Sequence, residues 1–324
     1  MRAIRVHEFG PAEVLRLEQL PDPVPTEGQL LVRVEAAGIN PVETYIRSGI
    51  GARPPLPYTP GSDAAGVVVS IGAGVAATAV GQRVYVADTL TGAYAELALC
   101  LHDSVFPLPA SLSMAQGAAI AVPYGTAYRA LFQRGRGAAG ETVLVHGASG
   151  GVGLAAVQLA AAAGMTVVGS AGSEEGRRLV LAHGAAHAVD HSSPAHGAEV
   201  LEITGGRGVD LIVEMRSDVN LGADLTLLAE RGRVVCVGNR GPGNQGQVGV
   251  NARDLMRREG DVLGVMLPNA EHDDMASVHD ALALGFARRE LHPVIAREYG
   301  LEDAAQAHRD IEEGHTLGKL VLVP

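Results

Sequence analysis

The sequence predicts an α/β protein in which a doubly wound parallel sheet is joined to a smaller β domain. The chain has 324 residues, more than a single hydrophobic core usually supports. Its first part contains short β-rich runs separated by turn residues, and from about residue 123 apolar strands alternate with helices. These observations predict two domains, one formed by residues 1–122 and 268–324 and the other by residues 123–267.

The β domain is indicated by strand patterns and by the distribution of proline. Leu30–Ala36 and Gly66–Ile71 are rich in β-branched and apolar residues. Twelve of the 17 prolines come before residue 124, where they mark turns between short strands. The closing run Lys319–Val323 is a further predicted strand, which we expect to return to this domain.

The sheet domain contains six apolar runs of strand length. They are Thr142–His146, Thr166–Ser170, Ala186–Asp190, Val209–Glu214, Arg233–Gly238 and Val262–Met266. Continuous apolar strands are typical of a parallel sheet that helices cover on both faces. Six such strands match the sheet of a dinucleotide-binding domain.

Composition excludes several functional classes. The 25 basic and 36 acidic side chains give a net charge of −11, so nucleic acid is not expected as a partner. Cys100 and Cys236 are the only cysteines, which excludes a disulfide framework and a cysteine zinc site. The longest apolar stretch, Leu154–Met165, is too short to span a bilayer, and the N-terminal residues lack an export signal. We therefore expect a cytoplasmic protein with no membrane partner.

A glycine-rich turn, His146–Gly153, joins the first strand of the sheet domain to its first helix. Glycines there let the backbone turn tightly and let a pyrophosphate approach the helix N-terminus. The same letters contain G-x-S-x-G, the nucleophile elbow of serine hydrolases, with Ser149 as the nucleophile. The hydrolase alternative is disfavoured because no later pair of an acid and a histidine stands out, and because an elbow does not need Gly153.

The residues after the second strand indicate which nucleotide is bound. An NAD site usually places an acid about 20 residues after the glycine turn, where it binds the ribose hydroxyls. The corresponding segment, Val168–Ser173, contains no acid, which leaves room for a 2′-phosphate. Arg177 and Arg178 follow and add positive charge, so NADPH is the expected cofactor.

Motifs along the whole chain fit one family. They are Ala37–Gly49, Tyr58–Gly66, Val143–Leu154, Ala171–Gly176, Val237–Arg240 and Gly318–Lys319. Together they resemble the zeta-crystallin-like quinone oxidoreductases, which are zinc-independent members of the medium-chain dehydrogenase/reductase superfamily. The resemblance implies a GroES-like β domain beside a Rossmann domain, with the substrate in the cleft between them. It also implies a homodimer or homotetramer, in which the Val262–Met266 strands pair at the sheet edge.

Carried over by position, the resemblance implies a set of cofactor contacts. These are Tyr45, Ser149, Gly150, Gly151, Val152, Gly172, His191, Asn220, Val237, Gly238, Asn239, Arg240, Gly264, Val265 and Met266. Ser149 to Val152 would hold the pyrophosphate, and Gly172 and His191 would lie near the adenosine ribose and its phosphate. For His191, a solvated histidine is the open alternative. A helical metal-binding face of His183, His187 and His191 is disfavoured, because Gly184 interrupts it.

The resemblance also bears on the reaction. Zinc-dependent relatives carry a cysteine ligand near Asn40 and a histidine ligand near Ser62, and this chain has neither, so no metal is expected. We expect NADPH-dependent reduction of quinones by hydride or electron transfer, with Asn40 and Tyr45 as the catalytic candidates at the nicotinamide end. Reduction of enals, enones or enoyl thioesters is the alternative within the same class. A nucleotide-binding structural or RNA-contacting role is the alternative of another class.

Overall fold

The structure is a computed structural model that describes residues 1–76, 78–239, 246–314 and 316–324. The chain divides into two units, one formed by Met1–Val122 with Pro293–Pro324 and the other by Pro123–His292. The strands are β1 (Arg2–Val6), β2 (Leu15–Gln19), β3 (Gln29–Ile39), β4 (Ala64–Ile71), β5 (Arg83–Val86), β6 (Leu97–Leu101), β7 (Val105–Pro107), β8 (Thr142–Val145), β9 (Thr166–Ser170), β10 (His187–Val189), β11 (Val209–Glu214), β12 (Leu228–Cys236), β13 (Asp261–Gly264), β14 (Ile295–Gly300) and β15 (Lys319–Val323). The α-helices are α1 (Pro41–Arg47), α2 (Met114–Gly117), α3 (Ala121–Tyr128), α4 (Gly151–Ala162), α5 (Glu174–Ala182), α6 (His196–Ile203), α7 (Ser217–Leu227), α8 (Ala252–Arg258), α9 (His272–Ala287) and α10 (Ala304–Glu313).

The first unit is built on a mixed sheet that the last strand of the chain completes. Its strand order is β14-β15-β3-β4-β5-β7, and β6 also pairs with β3. β15 runs parallel to β14 and antiparallel to β3, with Val321 opposite Gly38. Leu320, Val321 and Leu322 are buried, which explains why this short apolar segment returns to the sheet. The predicted return of residues 319–323 is therefore correct.

The second unit contains the predicted six-stranded parallel sheet. Its strand order is β10-β9-β8-β11-β12-β13, which is 3-2-1-4-5-6 when counted from β8. The strands are buried on both faces: Val143, Leu144 and Val145 of β8 are fully inaccessible. Order and burial together confirm the predicted doubly wound fold. Among the helices of the described residues, none has the length and apolar character needed to cross a membrane.

Helix α4 lies against this sheet unusually closely. Its residues Gly153–Ala160 are all buried, and small side chains make up most of its length. A Cβ atom on Gly153 would overlap the carbonyl oxygen of Gly147 and lie 2.6 Å from Cα of Ala148. Only glycine therefore allows the start of α4 to pack on the turn that precedes it.

The second domain boundary predicted from the sequence is wrong. Residues 268–292 belong to the second unit, whereas the sequence placed them with the β domain. Helix α9 explains the difference, because its Phe286 ring packs edge-on against Tyr124 with centroids 5.6 Å apart. Beyond α9, the backbone of His292 exchanges two hydrogen bonds with the Gln158 side chain. The prediction ended the domain at its last strand, but α9 covers part of the same core.

The position of β15 leads to a test of stability. We expect Leu322→Ala to lower the free energy of unfolding by about 2–5 kcal/mol, because it removes buried methyl groups from a fully covered site. Val323→Ala is the matched control: it is the next residue of the same strand, it lies on the opposite face, and its side chain is exposed. Urea denaturation followed by circular dichroism measures both. Equal losses for the two variants would contradict the account of β15 as a core strand.

Candidate functional site

The turn between β8 and α4 has the conformation that the sequence predicts for a phosphate-binding loop. Gly147 has a φ of +56°, in the left-handed region that favours glycine. The amide of Ala148 donates to the carbonyl of Ser170 at 2.9 Å, which ties the turn to the end of β9. The amide of Gly150 donates back to Gly147 at 3.1 Å. The backbone of the turn is thus fixed by its own hydrogen bonds.

The N-terminus of α4 is left without a side-chain cap. Its N-cap residue is Gly150, which has no side-chain oxygen to accept from the first amides of the helix. The first intrahelical donor is Leu154, which bonds to Gly150 at 2.8 Å. The amides of Gly151, Val152 and Gly153 precede it and carry the positive end of the helix dipole. This donor set fits a pyrophosphate, and Ser149 to Val152, which the resemblance implies as its contacts, form the end of the turn and the start of the helix.

Gly172 and His191 are brought together at the ends of β9 and β10. A Cβ atom on Gly172 would lie 2.9 Å from Nε2 of His191, so glycine allows the ring to approach the backbone. Burial lowers the pKa of His191, and the nearby His146 adds to the effect. His191 is therefore mostly neutral at neutral pH and offers a hydrogen bond rather than a charge.

Arg177 provides positive charge near Gly172. Arg177 donates to the carbonyl of Ala171 at 3.3 Å and forms an ion pair with Asp190 at 2.9 Å. Ser173 caps α5 by accepting the amide of Gly176 at 3.0 Å. Arg178 is exposed and forms an ion pair with Glu174 at 3.7 Å. No acidic side chain stands at positions 168–173, as the sequence shows.

Asn220, Val237 and Gly238 lie around one acidic residue, Glu214. The amide of Asn220 on α7 donates to both Glu214 carboxylate oxygens at 3.2 Å. Val237 follows β12, and its amide donates to the Glu214 carbonyl at 2.8 Å. The carbonyl of Gly238 accepts from Ser217, the first residue of α7, at 3.0 Å. The structure therefore places these three predicted cofactor residues in one neighbourhood.

The remaining predicted cofactor residues of the second unit follow β12 and β13. Val265 is buried and donates to the Cys236 carbonyl at 3.1 Å, whereas Met266 and Asn239 are exposed. The carbonyl of Gly264 accepts from Arg134 at 2.9 Å. Arg240 lies outside the described residues. The predicted residues of this unit thus follow the carboxyl ends of parallel strands, where α/β sheets bind their ligands.

Asn40, the first catalytic candidate, lies in a buried cluster with Asp63 and Lys319. Its Nδ2 donates to Oδ2 of Asp63 at 3.0 Å, and its Oδ1 accepts from the Lys319 ammonium. The ammonium also pairs with the same Asp63 oxygen at 3.0 Å. Asn40 is only 3% exposed, Asp63 0% and Lys319 5%. The Asn40 amide is therefore engaged in holding this cluster, and its contact with a cofactor or substrate stays a prediction.

Glu43 extends the cluster and fixes the start of α1. It accepts from the Asn40 backbone at 2.7 Å and from the Asn40 side chain at 3.2 Å, closing a capping box around the helix N-terminus. The amide of Ser62 and the hydroxyl of Tyr94 also donate to it, at 3.2 and 2.7 Å. Burial raises the pKa of Glu43, and the charge of Lys319 opposes this rise.

A hydrogen-bonded chain continues from Glu43 to the surface of the first unit. The Tyr94 hydroxyl contacts His308 Nε2 at 3.0 Å, and Arg47 contacts His308 Nδ1 at 3.2 Å. Because Arg47 can only donate, Nδ1 accepts and Nε2 carries the proton. Burial lowers the pKa of His308 to about 3, which keeps the ring neutral. Arg47 ends the chain by pairing with Glu312 at 2.6 Å.

Tyr45, the second catalytic candidate, lies on α1 between Glu43 and Arg47. It is half-buried, and its carbonyl accepts from the Ile50 amide at 2.8 Å. Both of its helical neighbours are anchored in the buried chain described above. The ring is therefore carried by a helix whose orientation is fixed, which suits a residue that contacts a ligand.

The residues around Asn40 do not fit a catalytic zinc ion. An amide and the hydroxyl of Ser62 stand where zinc-dependent relatives have a cysteine and a histidine, and neither is a usual zinc ligand. The ammonium of Lys319 lies within hydrogen-bond distance of Asn40 and Asp63 and would repel a second cation. The positive charge in this buried cluster is therefore that of Lys319.

Among the described residues, one cluster has side chains of the types that could ligate a metal ion. It is formed by His146, Glu214 and Asp224. His146 Nε2 lies 3.0 Å from Oδ1 of Asp224 and 3.4 Å from Oε2 of Glu214. All three are buried. A catalytic zinc needs an open coordination position for water or substrate, which this group does not provide.

The motifs in the sequence include Lys319, Asp63 and His146, but the sequence does not show which side chains they contact. Lys319 and Asp63 are 256 positions apart, and His146 and Asp224 are 78 apart, so no local pattern joins them. A partial signal exists for Glu43, because Asn40 followed by Glu43 is the spacing of a capping box. For Lys319 the signal is a charged residue at the start of an otherwise apolar strand.

Comparisons with known proteins agree with this architecture. The family model described as "Alcohol dehydrogenase GroES-like domain" matches residues 26–110, and that described as "Zinc-binding dehydrogenase" matches residues 151–283. The chain is 49% identical to quinone oxidoreductase of Mus musculus and 46% identical to that of Homo sapiens, in each case over 100% of this chain and 98% of the relative. The crystal structure of Escherichia coli quinone oxidoreductase complexed with NADPH superposes with a TM-score of 0.91, at 31% identity and with both chains fully covered. The chain therefore belongs to the quinone oxidoreductase family of the medium-chain dehydrogenase/reductase superfamily.

Proposed function

We propose that this protein reduces quinones with NADPH and without zinc. The observation that carries the proposal is the full-length similarity to quinone oxidoreductases at 45–49% identity, together with a glycine turn whose helix N-terminus fits a pyrophosphate. Bound NADPH supplies the hydride or the electrons. The chain's own residues bind and orient the cofactor.

The choice of NADPH over NADH is supported by the segment after β9. A carboxylate at positions 168–173 would repel a 2′-phosphate, and none is present. The same region contains the hydroxyl of Ser173 and the guanidinium of Arg177. Gly172, which precedes Ser173, leaves its backbone uncovered by a side chain. The E. coli relative was solved with NADPH bound, which agrees with this choice.

Zinc independence is supported by the chemistry around Asn40. The buried ammonium of Lys319 pairs with the Asp63 carboxylate and would repel a metal cation placed beside Asn40. Quinones are electron-poor acceptors, and their reduction needs no Lewis acid. The match to the model described as "Zinc-binding dehydrogenase" covers residues of the second unit, which do not include the Asn40 cluster.

The first test compares acceptors. We expect oxidation of NADPH, followed by its absorbance, to be fastest with 9,10-phenanthrenequinone or 1,4-benzoquinone, because full-length relatives are quinone oxidoreductases. The same assay with 2-hexenal and crotonyl-CoA tests ene reduction, and NADH serves as the cofactor control. Turnover of the enal or thioester alone would replace the quinone proposal, and tight NADPH binding without any turnover would favour a binding role.

The second test changes cofactor preference at Ser173. Ser173→Asp keeps an N-cap side chain on α5 but adds a carboxylate, so we expect the Kd for NADPH to rise about tenfold relative to that for NADH. Ser173→Asn is the matched control, since it caps the helix without charge. A similar rise in both variants would show that the loop geometry, and not the charge, is responsible.

The third test concerns zinc. We expect quinone turnover to be unchanged after incubation with 1,10-phenanthroline, and metal analysis of the active enzyme to find only substoichiometric zinc. A zinc-dependent alcohol dehydrogenase treated in parallel provides the positive control. Loss of activity that returns when zinc is added would contradict the zinc-free proposal.

A further inference from the structure

The buried group of His146, Glu214 and Asp224 lies beside the predicted cofactor residues and has no role in the preceding proposal. His146 follows β8 directly after Val145, Glu214 ends β11, and Asp224 lies on α7. His146 Nδ1 contacts the Ser170 hydroxyl at 3.2 Å, and its Nε2 contacts Asp224 at 3.0 Å. The group thus connects the ends of three neighbouring strands at the point where the strand order of the sheet reverses.

This group carries two carboxyl groups in the protein interior without a buried lysine or arginine contact among the described residues. Burial raises the pKa of Glu214 and of Asp224 to about 7 each, and it lowers the pKa of His146. Other titratable groups that face the cluster are His191, His196, Arg216 and Cys236. A hydrogen bond between the two carboxyl groups raises the pKa of Glu214 further and lowers that of Asp224. At neutral pH the pair therefore shares one proton.

The hydrogen bonds show that Glu214 acts as an acceptor toward its other neighbours. Its Oε1 accepts from the backbone amide of Arg216, and both of its carboxyl oxygens lie 3.2 Å from Nδ2 of Asn220. His146 Nε2 contacts Oδ1 of Asp224, whereas the buried Oδ2 of Asp224 has no hydrogen-bond partner among the described residues. Asn220 is therefore held by Glu214 and not by Asp224.

The acceptor oxygens of Glu214 determine how Asn220 is oriented. Nδ2 of Asn220, the donor atom of its side chain, faces Glu214 at 3.2 Å from both oxygens. The amide oxygen of Asn220 consequently faces away from Glu214. Asn220 is only partly buried, so this oxygen is presented where a ligand can donate to it.

We propose that Glu214 is a positioning residue for the cofactor, acting through Asn220. Its two carboxyl oxygens accept from the Asn220 amide and fix it with the amide oxygen outward. This role rests on the proposed function, since it requires that the protein binds NADPH and that Asn220 contacts it.

The experiment measures NADPH affinity in Glu214→Gln. The substituted amide offers one acceptor oxygen in place of two and sets an NH2 group against Nδ2 of Asn220, so we expect the Kd for NADPH to rise about tenfold. Titration of reduced-nicotinamide fluorescence measures it, and no tryptophan emission interferes because the chain contains no tryptophan. In an Asn220→Ala background, Glu214→Gln should cause no further loss, because its effect passes through Asn220.

Glu141→Gln is the matched control. It makes the same chemical change in a residue that pairs with Arg233 at 2.6 Å, just before β8 and so at the opposite end of the sheet. We expect it to lower the thermal midpoint while leaving the Kd for NADPH unchanged. If Glu141→Gln weakens binding as much as Glu214→Gln, the effect is one of general stability and the positioning role is overturned.

Two further outcomes separate this inference from the proposed function. Tight binding by the wild type with an unchanged Kd in Glu214→Gln would overturn the role of Glu214 alone. Failure of the wild type to bind NADPH would overturn the proposed function and this role with it. If Glu214→Gln does not fold, Glu214→Asp serves instead: it keeps a carboxyl group but withdraws it from Asn220. Its Kd should also rise, and the rise should disappear in the Asn220→Ala background.

Discussion

The buried ion pair between Lys319 and Asp63 is the interaction on which the first unit depends. It joins the last strand of the chain to the loop before β4, and its hydrogen bonds to Asn40 reach the start of α1. Removing one partner of such a pair leaves an uncompensated charge in the interior, which costs about 3–5 kcal/mol. The strand, the loop and the helix that carries Tyr45 are consequently positioned together.

The second unit also buries carboxyl groups, but it limits their charge in a different way. The carboxyl groups of Glu214 and Asp224 are as buried as Asp63, but a shared proton rather than an ammonium limits their charge. A lysine balances a carboxylate permanently, whereas a proton can be exchanged. The first arrangement suits a fixed scaffold, and the second leaves one acceptor group, Glu214, available to orient Asn220.

Cofactor binding depends on backbone amides that have no side-chain acceptor as much as on residues that are paired. The N-cap of α4 is glycine, so its first amides have no side-chain acceptor, while α2 and α5 in the same chain are capped by Ser113 and Ser173. Uncapped amides at a helix N-terminus are unfavourable unless an anion or water accepts from them. Helices α6, α7, α9 and α10 also lack a side-chain cap, so it is the combination of uncapped amides with the glycine turn before α4 that suits a phosphate.

The sequence by itself determined the fold class, the strands of the parallel sheet and the glycine turn. These features depend on local patterns: apolar runs of strand length, small residues in α4 and a left-handed position at Gly147. The predicted end of the sheet domain was wrong because α9 packs on a core whose strands have already ended, and nothing local marks that contact. The buried clusters were also beyond the sequence, since Lys319 meets Asp63 and His146 meets Asp224 only after the chain has folded. Only the tertiary structure decided which charged residues became partners, because burial makes a charge dependent on whatever lies within hydrogen-bond distance, however far apart the residues are in the chain.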